Sequence, residues 1–237
     1  MKINFDKVYC ISYCRNIEKQ NNIQKVMNYL GIDFEFIYGA DYSNLEILKH
    51  KDLYFIPNEK ICKYKNFQYY THYIGASYDH YTAVIHAYES GANSVLIMED
   101  DCTFINDISY IQWAFNNYPK DADLIKFGVF STENIKNKKI YINNLEINEN
   151  SKKFIKDNKY SISFVGSQLY GICNRKTMKQ YIDYQFNNFC CVDRLPRMLA
   201  LKYNINLYGL YQPLAIDPRE NCNNIYFINK YTLLNNI

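Results

Sequence analysis

The segment that most constrains this chain is an apolar run that leads directly into three acidic residues. The run is Ser94–Met98, in which four of the five residues are apolar, and the acidic residues are Glu99, Asp100 and Asp101. Such a run predicts a β-strand buried on both faces, as in parallel sheets. Burying three carboxylates at its end is costly unless they share a cation, and carboxylate oxygens suit Mg2+ or Mn2+. Taken alone, the triplet is equally well explained as a helix N-cap followed by a solvated turn.

The chain before this strand reads as β-α-β. Lys7–Tyr13 predicts a first strand, and Ile23, Val26, Met27 and Leu30 recur at helical spacing before Gly31. Asp33–Tyr38 then alternates like a strand, so the order predicts an α/β fold with a mixed, mostly parallel central sheet flanked by helices. The ligand crevice of such sheets lies at the carboxyl ends of the strands, where the triplet falls. Further helices are predicted over 75–89, 107–118, 175–186 and from 192, and further strands over 123–130, 161–173 and 205–211.

Three stretches are harder to interpret, and none of them predicts a domain boundary. Residues 42–74 suggest a short helix over 44–51 and an aromatic loop over 69–73. Residues 134–159 are rich in Asn and Lys and are predicted to be a surface insertion. The tail over 219–237 contains apolar residues and is expected to pack back on the domain. We therefore predict a single domain over residues 1–237.

Composition narrows the functional class. The net charge is only +3, from 27 basic and 24 acidic residues that are scattered along the chain, so nucleic acid is not an expected partner. Eight cysteines show no Cys-x-x-Cys spacing and no His follows His86, which argues against a zinc site and for reduced structural cysteines. With no signal-peptide apolar region and no apolar run of membrane-spanning length, we expect a soluble cytoplasmic protein that meets a membrane at most peripherally, through its substrate.

Several single residues allow two interpretations. Asp41, at the tip of the second strand, suits a ribose or base but also a plain turn. Arg15 and Lys19 follow the first strand, where they could balance phosphate charge or simply lie on the surface. His80, in the helix before the acidic triplet, is by default a half-buried helix histidine, with orientation of a carboxylate or phosphate as the alternative.

Seven segments resemble a known family when they are taken together. They are Val8–Arg15, Phe36–Asp41, Gly75–His80, Leu96–Asp101, Gly166–Tyr170, Val192–Asp193 and Gln212–Leu214. In this order they resemble glycosyltransferase family 25, the lipooligosaccharide-type galactosyltransferases and their collagen-modifying relatives, and the acidic segment is the most specific match. Ser12-Tyr13 stands where the family has Asn-Leu, Lys19 where it has a second arginine, and Asp79 where it has Ser.

The resemblance implies a GT-A-like (Rossmann-like) fold and a metal-dependent inverting glycosyltransferase. Such an enzyme would move a hexose, galactose or glucose, from a UDP-sugar donor to a hydroxyl of a glycan or of a hydroxylated protein side chain. A divalent metal, Mn2+ or Mg2+, would bridge the leaving diphosphate. By resemblance, Asp101 is the first candidate ligand and Glu99 the second, with Asp217 as a late ligand. Asp100 would contact the ribose.

The resemblance also assigns residues around the donor and acceptor. Ser12 and Arg15 are expected at the nucleotide-sugar donor. Gly166 and Ser167 would allow close backbone approach to the sugar, although a tight turn explains them as well. An inverting transfer needs a carboxylate base for the acceptor hydroxyl, and Asp193 is the candidate, with a plain helix N-cap as its alternative.

Two other functions remain open at this point. A catalytically inactive family member, acting as a sugar- or nucleotide-binding or interaction module, is suggested by the departures at Ser12 and Asp79. A nucleotidyltransferase would also use paired carboxylates, but no Gly-rich phosphate loop follows the first strand, which argues against it.

Overall fold

A computed structural model describes residues 1–39, 67–104, 107–129, 154–156, 167–188, 190–210 and 214–216. These residues form one α/β domain, as predicted, in which helices cover both faces of a mixed sheet. Within this part of the chain no helix combines the length and apolar character needed to cross a membrane. The six cysteines described are free thiols, and Cys10 and Cys102 are buried.

The main sheet has seven strands in the order β2-β1-β3-β8-β5-β9-β7. The strands are β1 Lys7–Tyr13, β2 Glu35–Gly39, β3 Val95–Glu99, β5 Leu124–Lys126, β7 Phe154–Lys156, β8 Leu169–Ile172 and β9 Leu207–Leu210. All run in one direction except β8 and β7, which are antiparallel to their neighbours. A smaller three-stranded sheet, β4-β10-β6, is formed by Thr103–Phe104, Ala215–Ile216 and Gly128–Val129.

The helices divide between the two faces of the main sheet. They are α1 Ile17–Leu30, α2 Phe67–Glu89, α3 Ile108–Asn116, α4 Arg175–Asn188 and α5 Leu195–Tyr203. Helices α1 and α3 contribute to one apolar core, and α2, α4 and α5 contribute to the other. Gly31 ends α1 in the left-handed conformation, at a φ of 61°, as its position predicted.

Strand pleating decides which face each side chain meets. Cys10 and Met98 pair in register between β1 and β3 and pack on the α1/α3 face. The next residue on β1, Ile11, packs on the α2 face and is in register with Glu99. Because side chains alternate along a strand, Glu99 and Asp100 leave the end of β3 toward opposite faces.

Some predicted elements differ from the observed ones. Helix α2 begins at Phe67, so the aromatic loop over 69–73 was wrong. The strand over 123–130 is two short strands, because the chain leaves the main sheet at Phe127 and enters the smaller one. Strand β7, within the predicted insertion, is an edge strand of the main sheet. The remainder of that insertion, the helix over 44–51 and the tail lie outside the described residues.

Candidate active site

Polar residues from four strands meet at one edge of the main sheet. The strands β1, β3 and β5 end there, and β8, which runs the other way, begins there. This edge therefore collects Ser12, the acidic triplet, Lys126 and the pair Ser167-Gln168. The carbonyl of Gln168 accepts a hydrogen bond from the backbone N–H of Glu99 over 2.9 Å, which ties the triplet to β8. The acidic triplet thus lies at the carboxyl end of a parallel strand, where ligands bind in many open α/β sheets.

The first group of side chains lies toward α1, and we call it the Asp100 cluster: Ser12, Asn16, Lys19, Asp100 and Asp101. Ser12 Oγ and Asn16 Nδ2 donate to Asp100 Oδ2 over 2.8 and 3.2 Å. The Lys19 ammonium lies 3.5 Å from Asp100 Oδ1 and 3.6 Å from Asp101 Oδ2. Two adjacent carboxylates therefore share one cation here, and both are largely buried while Lys19 is 45% exposed.

The second group lies toward α2, and we call it the Glu99 cluster: His80, Glu99, Lys126, Ser167 and Tyr170. His80 Nε2 lies 3.1 Å from Glu99 Oε1, and Nδ1 lies 3.0 Å from the Tyr170 hydroxyl. A carboxylate can only accept, so Nε2 carries a proton toward Glu99, and Nδ1 pairs with the Tyr170 hydroxyl. Burial raises the pKa of Tyr170 well above its ordinary value, which keeps this hydroxyl protonated.

Lys126 is the most unusual member of the Glu99 cluster, because its side chain is only 1% exposed. Its ammonium donates to Ser167 Oγ over 3.1 Å and lies 5.0 Å from the centre of the Tyr170 ring. Burial lowers the pKa of Lys126 to about 8, and the carboxylates of Asp193 and Glu99 oppose this effect. A strongly shifted ionisable group beside clustered carboxylates is typical of functional sites.

Asp193 lies in the turn before α5 rather than at the helix N-cap. The helix begins at Leu195 with Arg194 as the N-cap residue, so the helix-cap interpretation of Asp193 was wrong. The turn is tied to α2, since Ser77 Oγ accepts a hydrogen bond from the Val192 N–H over 3.0 Å. The structure thus holds Asp193 on the side of the Glu99 cluster, where its charge acts on Lys126.

The structure brings some predicted site residues together and separates others. Ser12, Asp100 and Asp101 fall in one cluster, whereas Glu99 falls in the other. The Ser167 side chain is fully buried against Lys126, so it does not itself reach solvent. Arg15 is exposed in the turn after β1. Asp41, Gly166 and Asp217 lie outside the described residues.

Sequence reasoning missed three residues of these clusters. Asn16 binds Asp100, but a lone Asn before a helix suggests only a cap. Tyr170 ends the matched segment Gly166–Tyr170, but no role was predicted for it. Lys126 did carry a signal, because a lysine in the apolar run Leu124–Phe127 points a charge into a core. His80, considered as an orienting residue, is bonded to Glu99 and is more deeply buried than the half-buried helix residue expected.

Across the described ranges, no group of three or more His, Cys, Asp or Glu side chains is arranged as a metal site. A scan of the chain against protein-family models and a search of the curated proteins returned no match.

Proposed function

We propose that this chain is a metal-dependent inverting glycosyltransferase that moves a hexose from a UDP-sugar to a hydroxyl of a glycan or a hydroxylated side chain. The observation that supports it most is the pair Asp100 and Asp101, whose oxygens share one ammonium at the carboxyl edge of an α/β sheet. Departure of a nucleoside diphosphate leaves negative charge that a cation at this edge would balance.

The Asp100 cluster suits a divalent ion in its donor chemistry. Asp100 Oδ1 and Asp101 Oδ2 already approach the same positive charge, and carboxylate oxygens are preferred ligands of Mg2+ and Mn2+. These two residues would hold the ion, and waters and diphosphate oxygens would complete its shell. When bound, the ion would act as a Lewis acid toward the diphosphate.

The other residues then have defined tasks. Ser12 and Asn16 both donate to Asp100 Oδ2, which leaves Oδ1 directed at the shared cation. Lys19, on a flexible and exposed stem, would follow the diphosphate charge. Asp193, on the opposite side, would accept the proton of the acceptor hydroxyl.

The proposal is tested by donor hydrolysis and transfer with the full chain. UDP release from UDP-galactose and UDP-glucose is measured with Mn2+, with Mg2+ and with a chelator, alone and with glycan or hydroxylysine-peptide acceptors. We expect metal-dependent release, and a loss of about a hundredfold or more in Asp101→Ala. Asp33→Ala, which removes an exposed carboxylate before β2, is the matched control and should keep full activity.

Melting-temperature shifts separate the alternatives, because a ligand that binds the folded state raises the melting temperature. Mn2+-dependent stabilisation by UDP without any turnover would identify a catalytically inactive binding module. Turnover that is unchanged in Asp101→Ala would remove the metal role of this residue. The absence of both stabilisation and UDP release, with every UDP-sugar tried, would overturn the proposed function.

A further inference from the structure

From the separation of the two clusters we infer that Glu99 binds a hydroxyl of the transferred sugar instead of the metal, and that His80 and Tyr170 hold its carboxylate in place. This inference rests on the proposed function and deepens it, since it names the group that recognises the sugar. It also divides the acidic triplet into one sugar-binding residue and two residues for the metal and diphosphate.

Glu99 and Asp100 leave the end of β3 toward opposite faces of the sheet. Glu99 is in register with Ile11, whose side chain packs on the α2 face, whereas Asp100 binds Ser12 and Asn16 on the α1 face. The Asp100 backbone N–H donates to the Ile11 carbonyl over 3.0 Å, so the pleated pairing continues past the end of β3. An ion that took both Glu99 and Asp100 would have to draw one of them away from its hydrogen-bond partners.

The Glu99 carboxylate is held by His80, which in turn contacts Tyr170. His80 is 1% exposed, and its two ring nitrogens are engaged by Glu99 on one side and by Tyr170 on the other. The Nε2–H points at Glu99 Oε1, because a carboxylate can only accept, and the Tyr170 hydroxyl holds the other side of the ring at Nδ1. A histidine that is held at one ring nitrogen can orient a group bonded to the other. His80 and Tyr170 are thus positioning residues for Glu99.

A ligand can reach only part of the Glu99 cluster. His80, Tyr170, Lys126 and Ser167 are all essentially buried, whereas the Glu99 side chain is 26% exposed. Glu99 is therefore the member of its cluster that meets solvent. An ionised carboxylate accepts hydrogen bonds and repels phosphate, so a suitable direct ligand is a hydroxyl donor such as a sugar.

The candidate base Asp193 lies on the same side of the sheet as Glu99. The Val192 N–H beside it donates to Ser77 Oγ of α2, and His80 of the same helix bonds Glu99, whereas Asp100 and Lys19 lie toward α1. The geometry thus provides a metal and diphosphate half on the α1 side. The sugar and the acceptor hydroxyl would lie on the α2 side, between Glu99 and Asp193.

Calorimetric binding tests this division with UDP and with UDP-hexose, each in the presence of Mn2+. In Glu99→Gln we expect the affinity for UDP to stay within about twofold, while the extra affinity for UDP-hexose over UDP falls about tenfold. In Asp101→Asn we expect the affinity for both ligands to fall. If Glu99→Gln loses Mn2+-dependent UDP binding as Asp101→Asn does, Glu99 is a metal ligand and the inference is overturned.

Other outcomes separate this inference from the proposed function. A wild-type protein that binds both UDP and UDP-hexose, but binds them equally, contradicts the sugar role of Glu99 and leaves the glycosyltransferase proposal standing. A wild-type protein that binds neither overturns the proposed function and this inference with it. Unchanged sugar affinity in Glu99→Gln contradicts the inference alone.

The positioning role of His80 and Tyr170 is tested by a separate set of measurements. Tyr170→Phe removes only the hydroxyl that holds His80 at Nδ1, and we expect it to weaken the sugar-dependent part of binding about threefold while UDP affinity is unchanged. Tyr110→Phe, at a buried tyrosine of α3 on the other face, is the control for a general effect of losing a buried hydroxyl. Nitrogen NMR of the wild-type protein should show His80 as the Nε2–H tautomer, and an Nδ1–H tautomer would overturn the role of His80.

Discussion

The ammonium of Lys126 donates a hydrogen bond to the hydroxyl of Ser167 over 3.1 Å, and both side chains are buried. Removing a charge from water in this way has a large free-energy cost. The carboxylates of Glu99 and Asp193 offset part of it. A buried cation beside two candidate site carboxylates therefore suits a role in balancing their negative charge better than a role in stabilising the fold.

The contribution of Lys126 to the stability of the protein should therefore rise as the pH rises between its folded-state and unfolded-state pKa values. Burial lowers its pKa from the ordinary 10.5 to about 8, so between these values the unfolded state binds more protons than the folded state. The cost is fully present below the folded-state pKa and disappears above the ordinary value. Relative to Lys126→Met, we expect the wild type to gain roughly 3 kcal/mol in unfolding free energy across this window.

Denaturant unfolding of both proteins, at neutral pH and at the alkaline end of the window, measures this gain. Groups elsewhere in the chain titrate in both proteins and cancel in the difference. A wild-type-minus-variant difference that does not change with pH would mean that Lys126 is not held in a desolvated environment.

Lys19 and a divalent ion should compete for the same two oxygens. We expect Lys19→Met to raise the affinity for Mn2+ alone by about two- to fivefold, in line with the modest energy of exposed ion pairs. The same change should lower the affinity for Mn2+ with UDP, since a cation beside the diphosphate is lost. Lys25→Met, an exposed lysine of the same helix, controls for net charge. Identical behaviour of the two variants would show that Lys19 has no specific place at this site.

Gly39, at the end of β2, lies where a side chain does not fit. A Cβ built on it would overlap the carboxylate of Asp79, which is buried. We expect Gly39→Ala to lower the unfolding free energy by about 1–3 kcal/mol. In the double variant with Asp79→Ala the loss should be smaller than the sum of the single losses by about 1 kcal/mol or more. Strictly additive losses would contradict the overlap.

Asp107 caps α3, since its Oδ1 accepts a hydrogen bond from the Tyr110 N–H over 2.8 Å. Asp107→Ala should cost about 1 kcal/mol, which corresponds to a fall of about 2–4 °C in melting temperature for a chain of this length. Asp107→Asn keeps the accepting oxygen and should stay close to wild type. An equal loss in both variants would indicate that charge, and not the hydrogen bond, is what matters.

Local patterns were sufficient where one physical rule acted alone. The strand Lys7–Tyr13 has the predicted bounds, because a run of β-forming residues between polar ones has no competing conformation. The C-terminal end of α1 and the start of α3 followed from Gly31 and Asp107, whose chemistry suits a C-cap and an N-cap. The position of the acidic triplet at the end of a buried strand was confirmed in the same way.

Other features needed the neighbouring elements. The tyrosine-rich stretch before Gly75 was misread as a loop because it has no clear apolar stripe. Helix α2 nevertheless starts at Phe67. Asp193 looked like an N-cap because Pro196 suits a first turn, yet α5 begins two residues later, at Leu195. In both cases the local sequence pattern did not locate the first residue of the helix.

The amino-acid sequence by itself determined the α/β class, the buried strand β3 and the presence of three carboxylates at its end, because hydrophobic period and residue chemistry are local properties. Only the tertiary structure decided how those carboxylates divide. Pleating and parallel pairing with β1 send Asp100 toward Ser12 and α1, and Glu99 toward His80 and α2. Which face belongs to which helix depends on contacts between residues far apart in the chain, and such contacts are not written in any short segment.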